Sequence, residues 1–364
     1  MVGTARTPGY DRVAASGAFE RSYGEPRAPL QALERRKAAP SGRMAAIGDP
    51  ASANLSPKAE GAAAMIVSAS YRTDIPAFYG DWFMNRLAAG FARVANPYGG
   101  PPYRVSLDRA AVDGFVFWTK NLEPFLSPLE AVARRGYPFT VQYTINGYPR
   151  VLETSVVDAP RAVAHMHGLA RDYGAHAAVW RYDPVLLTTL TPPDWHLENF
   201  SALAAALEGA TDEVVVSFAH IYRKSARNLG AAARTHGFGW EDPDEGRKRE
   251  MAAQLTRFAA EHGMGLKLCA QPEYSAGGAG AARCIDAGRM ALVAGRPISA
   301  PEKGNRPGCA CHASRDIGAY DTCPHGCVYC YAVGSRSLAQ RRFKAHDPAG
   351  EALFALAPKE ALSS

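Results

Sequence analysis

The chain has 364 residues, 47% of them hydrophobic and 21% charged, and 41 Lys and Arg against 35 Asp and Glu give a net charge of +6. This composition is typical of a globular protein and excludes a wholly disordered, collagen-like or coiled-coil chain. No run approaches the ~18 uncharged apolar residues of a membrane-spanning helix, so we expect a soluble protein without a membrane partner. The first 64 residues hold nine basic and six acidic side chains, so the remainder is nearly neutral and gives no case for a nucleic-acid partner.

The N-terminal segment, residues 1–64, differs in composition from the rest of the chain. It is rich in Ala, Gly, Pro, Ser and Arg and shows no sustained helical or strand periodicity. Such a segment buries too little apolar surface to offset the entropy of ordering it. We predict a disordered extension, or translated sequence upstream of the true start, because Met65 directly precedes the first strand-like run.

From Met65 onward, runs rich in β-branched and aromatic residues alternate with helical stretches. The six predicted strands are Met65–Ser70, Gly114–Thr119, Phe139–Ile145, Ala177–Tyr182, Glu213–Phe218 and Gly265–Ala270. The predicted helices are Trp82–Arg93, Leu126–Arg135, Pro160–Tyr173, Thr191–Leu207 and Glu245–His262. This alternation predicts a parallel α/β fold, and the pattern alone fits an open doubly wound sheet as well as a partial (β/α)6 barrel.

Polar or charged residues follow nearly every predicted strand. The carboxyl ends of parallel strands form the active face of such folds, so we expect a site for a polar or anionic small molecule there. Cations at strand ends pair with carboxylates and serve as candidate anchors; these are Arg72, Lys120, Arg181 and Lys224. Asp74 and Asp183 are candidates for holding hydroxyl groups or relaying a proton.

The seven cysteines are confined to the last third of the chain, beginning at Cys269. An odd number in this arrangement makes a poor disulfide framework, and no charged-then-apolar signal segment opens the chain. We therefore expect a reducing, cytoplasmic location, where clustered cysteines indicate metal or redox chemistry.

The tightest cysteine group is Cys323-Pro-His-Gly-Cys327-Val-Tyr-Cys330. Three thiols at this spacing can fold around one face of a metal cluster, and Pro324 and Gly326 favour the tight turn that is needed. Soft thiolates select iron–sulfur clusters or zinc. Three ligands would leave one iron of a [4Fe–4S] cluster without a thiolate, and an open position is what a catalytic metal needs.

This CxxxCxxC spacing, with an aromatic residue before the third cysteine, resembles the motif of the radical S-adenosylmethionine enzymes. In that superfamily three cysteines hold a [4Fe–4S] cluster whose free iron binds S-adenosylmethionine, and the reduced cluster cleaves the sulfonium to give a 5′-deoxyadenosyl radical. The resemblance implies Cys323, Cys327 and Cys330 as ligands and Tyr329 as the ring packed against cluster or adenine. It also favours the partial (β/α)6 barrel over the doubly wound sheet.

The chain departs from the superfamily in the position of the motif, which follows the sixth predicted strand instead of the first. The cluster loop would then return over the carboxyl rim from the C-terminal side and close it. The superfamily's glycine-rich cofactor segment, expected after the second strand, is replaced by Trp118-Thr-Lys120-Asn121. Lys120 and Asn121 are therefore the candidates for contacting the cofactor, together with Tyr329.

A broader resemblance covers Met65 to about Arg342. The phrases SASYRTDIPAFY, FVFWTKN, VWRYDP, CID and DIGAYDTCPHGCVYCYA identify the chain as a member of the bacterial family called domain of unknown function 1848. That family is noted for a C-terminal cysteine group like the radical S-adenosylmethionine one. The resemblance implies the fold and the cluster and names no substrate. We divide the chain into a barrel (65–275), a cysteine-rich cluster-binding segment (276–343) and a tail (344–364).

The remaining four cysteines are Cys269, Cys284, Cys309 and Cys311. Four thiols are the full ligand set for a second, closed iron–sulfur cluster or a zinc site. The alternative is that Cys269 and Cys284 are small buried hydrophobic residues, as free cysteines often are.

The leading hypothesis is a radical S-adenosylmethionine-type enzyme of unknown substrate, which also needs an electron donor. The first alternative is a non-catalytic zinc or iron–sulfur module, in which His325, His312 or another cysteine completes the triad and the metal contributes folding free energy. The second is a repair enzyme resembling spore photoproduct lyase, for which a salt-dependent affinity for DNA would be the indicator.

Overall fold

The computed structural model describes residues 64–96 and 100–354. The predicted N-terminal extension therefore lies, except for its last residue, outside the described part of the chain. Within the described residues, no helix has the length and apolar character needed to span a bilayer.

An eight-stranded sheet forms the centre of the fold, and all of its strand pairs are parallel. Its strands in chain order are β1 (Met65–Ala69), β2 (Val112–Thr119), β3 (Phe139–Thr144), β4 (Ala178–Val185), β5 (Glu213–Phe218), β6 (Gly265–Leu268), β7 (Gly280–Ala281) and β8 (Ser314–Asp316). Their order across the sheet is β7-β6-β5-β4-β3-β2-β1-β8. Each strand from β1 to β7 thus lies beside its neighbour in the chain, and β8 returns to the free edge of β1.

Nine helices accompany the sheet in the described residues. They are α1 (Ile75–Phe78), α2 (Gly80–Ala89), α3 (Leu126–Arg134), α4 (Ala159–Tyr173), α5 (Pro193–Ala206), α6 (Arg223–His236), α7 (Glu245–Glu261), α8 (Ala287–Ala294) and α9 (Arg336–Lys344). Two small antiparallel strand pairs complete the elements: Phe91–Val94 with Tyr103–Ser106, and Leu187–Thr188 with Trp240–Glu241.

The predicted parallel α/β fold is confirmed, and all six predicted strands are present. The predicted helix Trp82–Arg93 is wrong at its end. Gly90 adopts φ 75° and ends α2 in the left-handed conformation, and Phe91–Val94 then forms a strand. A Cβ on residue 90 would come within 2.3 Å of the Asp108 carboxylate, so the close approach also requires glycine there.

The two faces of the sheet are covered differently. Side chains of alternate strand residues, such as Phe115 and Phe117 of β2, pack with the long helices α2, α3, α4, α5 and α7 in one large core. Val116, between them, faces a smaller apolar cluster built from α8 and the segments that carry Cys284 and Cys311. Long helices would cover both faces of a doubly wound sheet, so the sequential strand order and the placement of these five long helices on one face exclude that alternative.

The helices α1, α6 and α8 and the strands β7 and β8 were not predicted. Strands β7 and β8 have two and three residues, and α8, with eight residues, is too short to show a long amphipathic pattern. Gly114 of β2 makes room for it, since a Cβ there would lie 2.4 Å from the sulfur of Met290. Strands β7 and β8 occupy opposite edges of the sheet, and the pairings of the described strands do not close it into a barrel.

Helix α8 is anchored at the amino edge of the sheet. Arg289 of α8 donates to the carboxylates of Asp212 (2.9 Å) and Glu213 (3.0 Å), which lie at the start of β5. Burial acts against the charge of Arg289, but the Glu213 and Asp212 carboxylates raise its pKa overall. The carboxyl edge of the strands therefore stays available for the loops that carry the polar residues.

Candidate functional site

The loop that carries Cys323, Cys327 and Cys330 is fixed to the carboxyl ends of the strands. The N–H of Val328 donates to the carbonyl of Leu152 (3.1 Å), and Cys327 forms an antiparallel bridge with Glu153, both in the loop that follows β3. The N–H of Ser155 donates to His325 O (2.9 Å). The cysteine segment thus pairs as an extra extended strand with the loop after β3.

A second attachment joins the start of this loop to β1. Asp316, at the end of β8, accepts hydrogen bonds from the hydroxyls of Ser68 (2.8 Å) and Ser70 (2.7 Å) and from Arg72 Nε (3.0 Å). Gly318 follows so closely that a Cβ would lie 2.1 Å from Ser70 Oγ. The chain therefore turns over the end of β1 as it leaves β8.

The centre of the site is a buried network around Glu153. Lys120 Nζ donates to Glu153 Oε1 (2.7 Å) and to the hydroxyl of Tyr329 (3.1 Å). Tyr329 also donates to Glu153, and Asn146 Nδ2 donates to both Glu153 (3.1 Å) and Tyr329 (3.1 Å). Four side chains from three loops are thereby held in one hydrogen-bonded group beside Cys327.

Both members of the ion pair in this network are charged. Burial opposes the charge of Lys120, but Glu153 and the neighbouring Cys327 raise its pKa overall. Burial likewise opposes the charge of Glu153, yet Lys120 and the hydrogen bonds from Tyr329 and Asn146 lower its pKa. The ammonium of Lys120 is therefore a permanent positive charge next to the Cys327 sulfur.

The three thiols lie close enough to influence one another. Burial raises the pKa of Cys323, and the charges of Asp74, Cys330 and Cys327 raise it further. Burial also raises the pKa of Cys327 and Cys330. Thiolates here need a positive partner, and a metal cluster is the partner that a cysteine group most often binds.

Asp74 and His325 fasten the cysteine loop to the ends of β1 and β2. Asp74 caps α1 by accepting from the N–H of Ala77 (2.9 Å), and its other oxygen accepts from the Lys120 N–H (2.7 Å) and His325 Nε2 (2.8 Å). The other ring nitrogen of His325 lies 3.1 Å from the carbonyl of Ser155. Both nitrogens of His325 are thus occupied, which disfavours its role as a fourth metal ligand.

Arg181 and Asp183 form a second charged pair, on β4. Arg181 donates to Asp183, to Gln142 Oε1 (3.1 Å) and to the sulfur of Cys284 (2.9 Å). Its guanidinium also lies 4.9 Å from the ring centre of Trp118. Burial opposes the charge of Asp183, but Arg181 and the Ser217 hydroxyl lower its pKa overall. This pair stands between the triad and the second group of cysteines.

The second group of cysteines also comes together in space. Cys269 and Cys284 have their sulfurs 3.7 Å apart. Cys284 and Cys309 both shift the pKa of the Cys311 thiol, so the three thiols lie close enough to interact. Cys284 and Cys311 are buried, and Cys269 and Cys309 are partly exposed. Within residues 64–96 and 100–354, no three or more His, Cys, Asp or Glu side chains are placed so that they could hold a metal ion without moving.

Comparison with known proteins decides the family. The profile of the family described as "Domain of unknown function (DUF1848)" matches residues 66–332. The chain belongs to this family. No curated protein matches the sequence at a significant level.

Two solved structures share a limited likeness with this DUF1848 protein. A D-hydantoinase matches 56% of this chain and 41% of its own with a TM-score of 0.26 at 11% identity. A triazine hydrolase variant matches 56% of this chain and 45% of its own with a TM-score of 0.25 at 13% identity. The chain thus matches less than half the length of either structure.

The remaining predicted residues of this DUF1848 protein lie apart from the Glu153 network. Arg72 is paired with Asp316 at the end of β1. Lys224 lies in the first turn of α6, where its charge acts on Cys330. The side chain of Asn121 accepts from the N–H of Glu123 (3.1 Å), which fixes the turn after β2. The predicted cofactor contact of Asn121 stays a prediction.

Glu153 and Asp316 are the important residues that sequence reasoning missed. Glu153 lies nine positions beyond the end of β3, and a rule that inspects only the residues directly after a strand does not reach it. Asp316 ends a three-residue strand that was not predicted. No local signal in the sequence marks either carboxylate as buried.

Proposed function

We propose that this DUF1848 protein binds a [4Fe–4S] cluster through Cys323, Cys327 and Cys330 and carries out radical S-adenosylmethionine-type chemistry on a polar or anionic small molecule. The observation that carries the proposal is the position of the three thiols. They share one loop over the carboxyl ends of parallel strands, beside a buried lysine, where reaction sites of such folds lie. The proposal also includes a reducing, cytoplasmic location, in which these thiols stay available as ligands.

The donor set fits this cofactor. Three thiols within electrostatic reach of one another are the ligands that iron–sulfur clusters take from proteins. Gly326 has φ 78°, so the turn between Cys323 and Cys327 uses the left-handed conformation that glycine adopts readily. When bound and reduced, such a cluster supplies the electron that cleaves the sulfonium of S-adenosylmethionine.

The fold is consistent with a partial barrel. Sequential parallel strands with the long helices on one face have the arrangement that a (β/α) barrel requires. We propose that the sheet is the partial barrel of a radical enzyme and that the C-terminal cysteine loop covers its carboxyl rim.

The charged side chains have distinct roles in this proposal. Lys120 keeps its charge and presents an ammonium group to an anionic part of the cofactor or substrate, while Glu153 and Tyr329 hold its position. The charge of Arg181 is already neutralised by Asp183, so Arg181 orients the ligand through hydrogen bonds and adds no net charge to the site. Tyr329, next to Cys327 and Cys330 in sequence, packs its ring against Tyr148 at a centroid distance of 5.9 Å and so has a fixed orientation.

The test is anaerobic reconstitution of the full chain with iron and sulfide, followed by electron paramagnetic resonance of the reduced protein. A [4Fe–4S] signal that changes when S-adenosylmethionine is added supports an iron with an open position. A signal that is indifferent to the cofactor would replace the proposal with an electron-transfer or structural cluster. Zinc in the triad with no iron signal would leave the non-catalytic module.

A functional assay tests the charge at Lys120. Lys120→Met removes the ammonium and keeps the length of the side chain, whereas Lys120→Arg keeps a positive charge. We expect weaker binding of S-adenosylmethionine by Lys120→Met, by about 10-fold to 100-fold, because a charge-assisted hydrogen bond contributes about 1.5–3 kcal/mol. Partial recovery in Lys120→Arg is expected, and equal affinity in all three proteins would contradict the role.

A further inference from the structure

The second group of cysteines, Cys269, Cys284, Cys309 and Cys311, is separate from the triad and outside the chemistry proposed above. Cys269 directly follows β6, and Cys284 follows β7. Cys309 and Cys311 lie just before β8, at the other edge of the sheet from β7. Four thiols from three segments of the chain meet on the face of the sheet that α8 covers.

We propose that these four cysteines form a closed site for one tetrahedrally coordinated metal ion, best suited to zinc. The sulfurs of Cys269 and Cys284 are 3.7 Å apart. Four sulfurs at about 2.3 Å from a single zinc ion are about 3.8 Å from one another, because this is the edge of the corresponding tetrahedron. The observed separation therefore matches a mononuclear site, and the sulfurs that bind a cubane cluster stand farther apart.

The other two cysteines lie near this pair. Cys284 and Cys311 belong to one buried cluster, and Cys269 and Cys309 pack against it. Electrostatic interactions link Cys311 with Cys284 and Cys309, and Cys309 with Cys269. Side-chain rotation about the Cα–Cβ bonds of these residues is the movement that brings four adjacent sulfurs around one centre.

Three of the four sulfurs already have an N–H donor. Arg181 Nη1 lies 2.9 Å from Cys284 Sγ, and Arg306 Nη2 lies 3.6 Å from Cys269 Sγ. The backbone nitrogen of Ile285 lies 3.5 Å from Cys311 Sγ. A neutral thiol is a weak acceptor, whereas a metal-bound thiolate accepts such hydrogen bonds well.

The charges also fit a tetrathiolate. Four thiolates around a divalent ion carry a net charge of −2, and two guanidinium groups donate to the sulfurs. The Arg181 side chain is 4% exposed, and it donates to Asp183 as well as to the sulfur of Cys284. A thiolate at Cys284 would give this buried guanidinium a second negative partner.

The loop that delivers Cys309 and Cys311 is closely fitted to the strand end that carries Cys269. A Cβ on Gly308, which has φ 73°, would lie 2.9 Å from Pro272 and 3.4 Å from the Ala270 backbone. A Cβ on Gly304 would lie 2.2 Å from the carbonyl oxygen of Cys309. These close approaches fit the backbone of the loop against the strand end that carries Cys269, so side-chain rotation is the movement left for the sulfurs.

The experiment uses the full chain with Cys323, Cys327 and Cys330 all changed to Ser, so that the result is independent of the triad. We expect about one zinc per chain in this variant, and a cobalt-substituted form with the strong thiolate-to-cobalt absorption of a tetrahedral site. Adding Cys284→Ser and Cys311→Ser should abolish both signals. Arg306→Gln, on the exposed side, should retain zinc but bind it about 10-fold to 100-fold more weakly.

Three results would overturn the proposal. They are a metal-free protein whose four thiols all react with a thiol reagent, a Cys269–Cys284 disulfide, and iron with acid-labile sulfide in the variant that lacks the triad. If the variant with Cys284→Ser and Cys311→Ser does not fold, alkylation of the native chain replaces it. Zinc should then protect all four cysteines from alkylation, and a chelator should expose them; equal labelling with and without the chelator would also overturn the proposal.

Discussion

The two cysteine groups both lie against the eight-stranded sheet, but their surroundings differ. The triad of Cys323, Cys327 and Cys330 is in a single turn, beside the Lys120–Glu153 ion pair and other polar strand ends. The second group is collected from three segments and packs with aliphatic side chains and α8. The triad is next to charged and polar side chains that can bind a polar ligand, whereas the second group packs against the apolar core.

The pKa values of the thiols follow the same division. Burial raises the pKa of all three triad cysteines. In the second group the Cys311 thiol, helped by backbone N–H donors, lowers the pKa of Cys309 to about 6, while its neighbours Cys284 and Cys311 each have a pKa raised to about 11. Local hydrogen bonds thus favour the thiolate form of Cys309 in the second group. The thiols of the triad, by contrast, need a bound cation to become thiolates.

The largest expected effect tests whether the two groups are independent. Cys327→Ser should abolish the cluster at the triad and with it any change of the electron paramagnetic resonance signal on adding S-adenosylmethionine, because two cysteines are too few for this cluster. The matched control, Cys309→Ser, removes a thiol from the other group and should keep the signal. Loss of the signal in both variants would show that the groups form one centre.

The next largest effect concerns the buried ion pair that distinguishes the triad's surroundings. Glu153→Gln leaves Lys120 charged without its carboxylate, and we expect a loss of about 3–5 kcal/mol in the free energy of unfolding. Glu130→Gln breaks the exposed pair with Arg134 on α3 and should cost less than about 0.5 kcal/mol. Urea unfolding of both variants measures the difference, and similar values would mean that the Lys120 pair is well solvated.

A pH dependence is expected on the triad's side, from His196, whose ring packs edge-on against Tyr148. Tyr182 donates to Nδ1 of His196 (2.8 Å), while Nε2 lies 3.0 Å from the carbonyl of Leu186. Burial lowers the pKa of His196 from 6.5 to about 4. The folded state therefore binds fewer protons than the unfolded state between these values, and stability is fully present above pH 6.5 and lost as the pH falls towards 4.

The expected size of this loss is about 3 kcal/mol, since one unit of pKa corresponds to about 1.4 kcal/mol. Urea unfolding from pH 7 to pH 4 should show it in the wild-type protein and much less of it in His196→Gln. His236→Gln, which changes an exposed histidine, should follow the wild-type curve. A wild-type curve parallel to that of His196→Gln would contradict the assignment.

The smallest expected effect tests the packing of α8 beside the second cysteine group. Gly114→Ala places a methyl group against Met290 and the carbonyl of Pro138, at 2.9 Å, and should destabilise the protein by about 1–3 kcal/mol. Gly168→Ala, in the middle of α4, has its nearest neighbour at 3.9 Å and should stabilise by about 0.5–1 kcal/mol. Equal changes in the melting temperature of the two variants would show that α8 shifts to accommodate the added methyl group.

The strand pattern was largely predictable from the sequence. The apolar runs in β1 to β5 are buried on both faces of the sheet, so composition alone marked them. The short elements β7, β8 and α8 were missed because their stability comes from neighbours instead of from a long local pattern. The end of α2 was misplaced because the apolar residues after Gly90 continue the pattern, whereas Gly90 ends the helix in the left-handed conformation.

The site was predictable only in part. Lys120 and Tyr329 were recognised as members, and the structure brings them within 3.1 Å of each other. Arg72 was expected to serve as an anchor, but it lies with Asp316, whose strand was not predicted. Glu153 had no sequence signal, since its position depends on the pairing of its loop with the cysteine segment.

The sequence by itself determined the parallel α/β class, the family and the spacing of the three triad cysteines, because hydrophobic periodicity and local motifs are properties of neighbouring residues. Tertiary structure alone decided that Glu153 neutralises Lys120 and that Cys269, Cys284, Cys309 and Cys311 meet beside Arg181. These contacts join residues up to 103 positions apart, as from Arg181 to Cys284. Only the order of the strands and the packing of the loops over them bring such residues together.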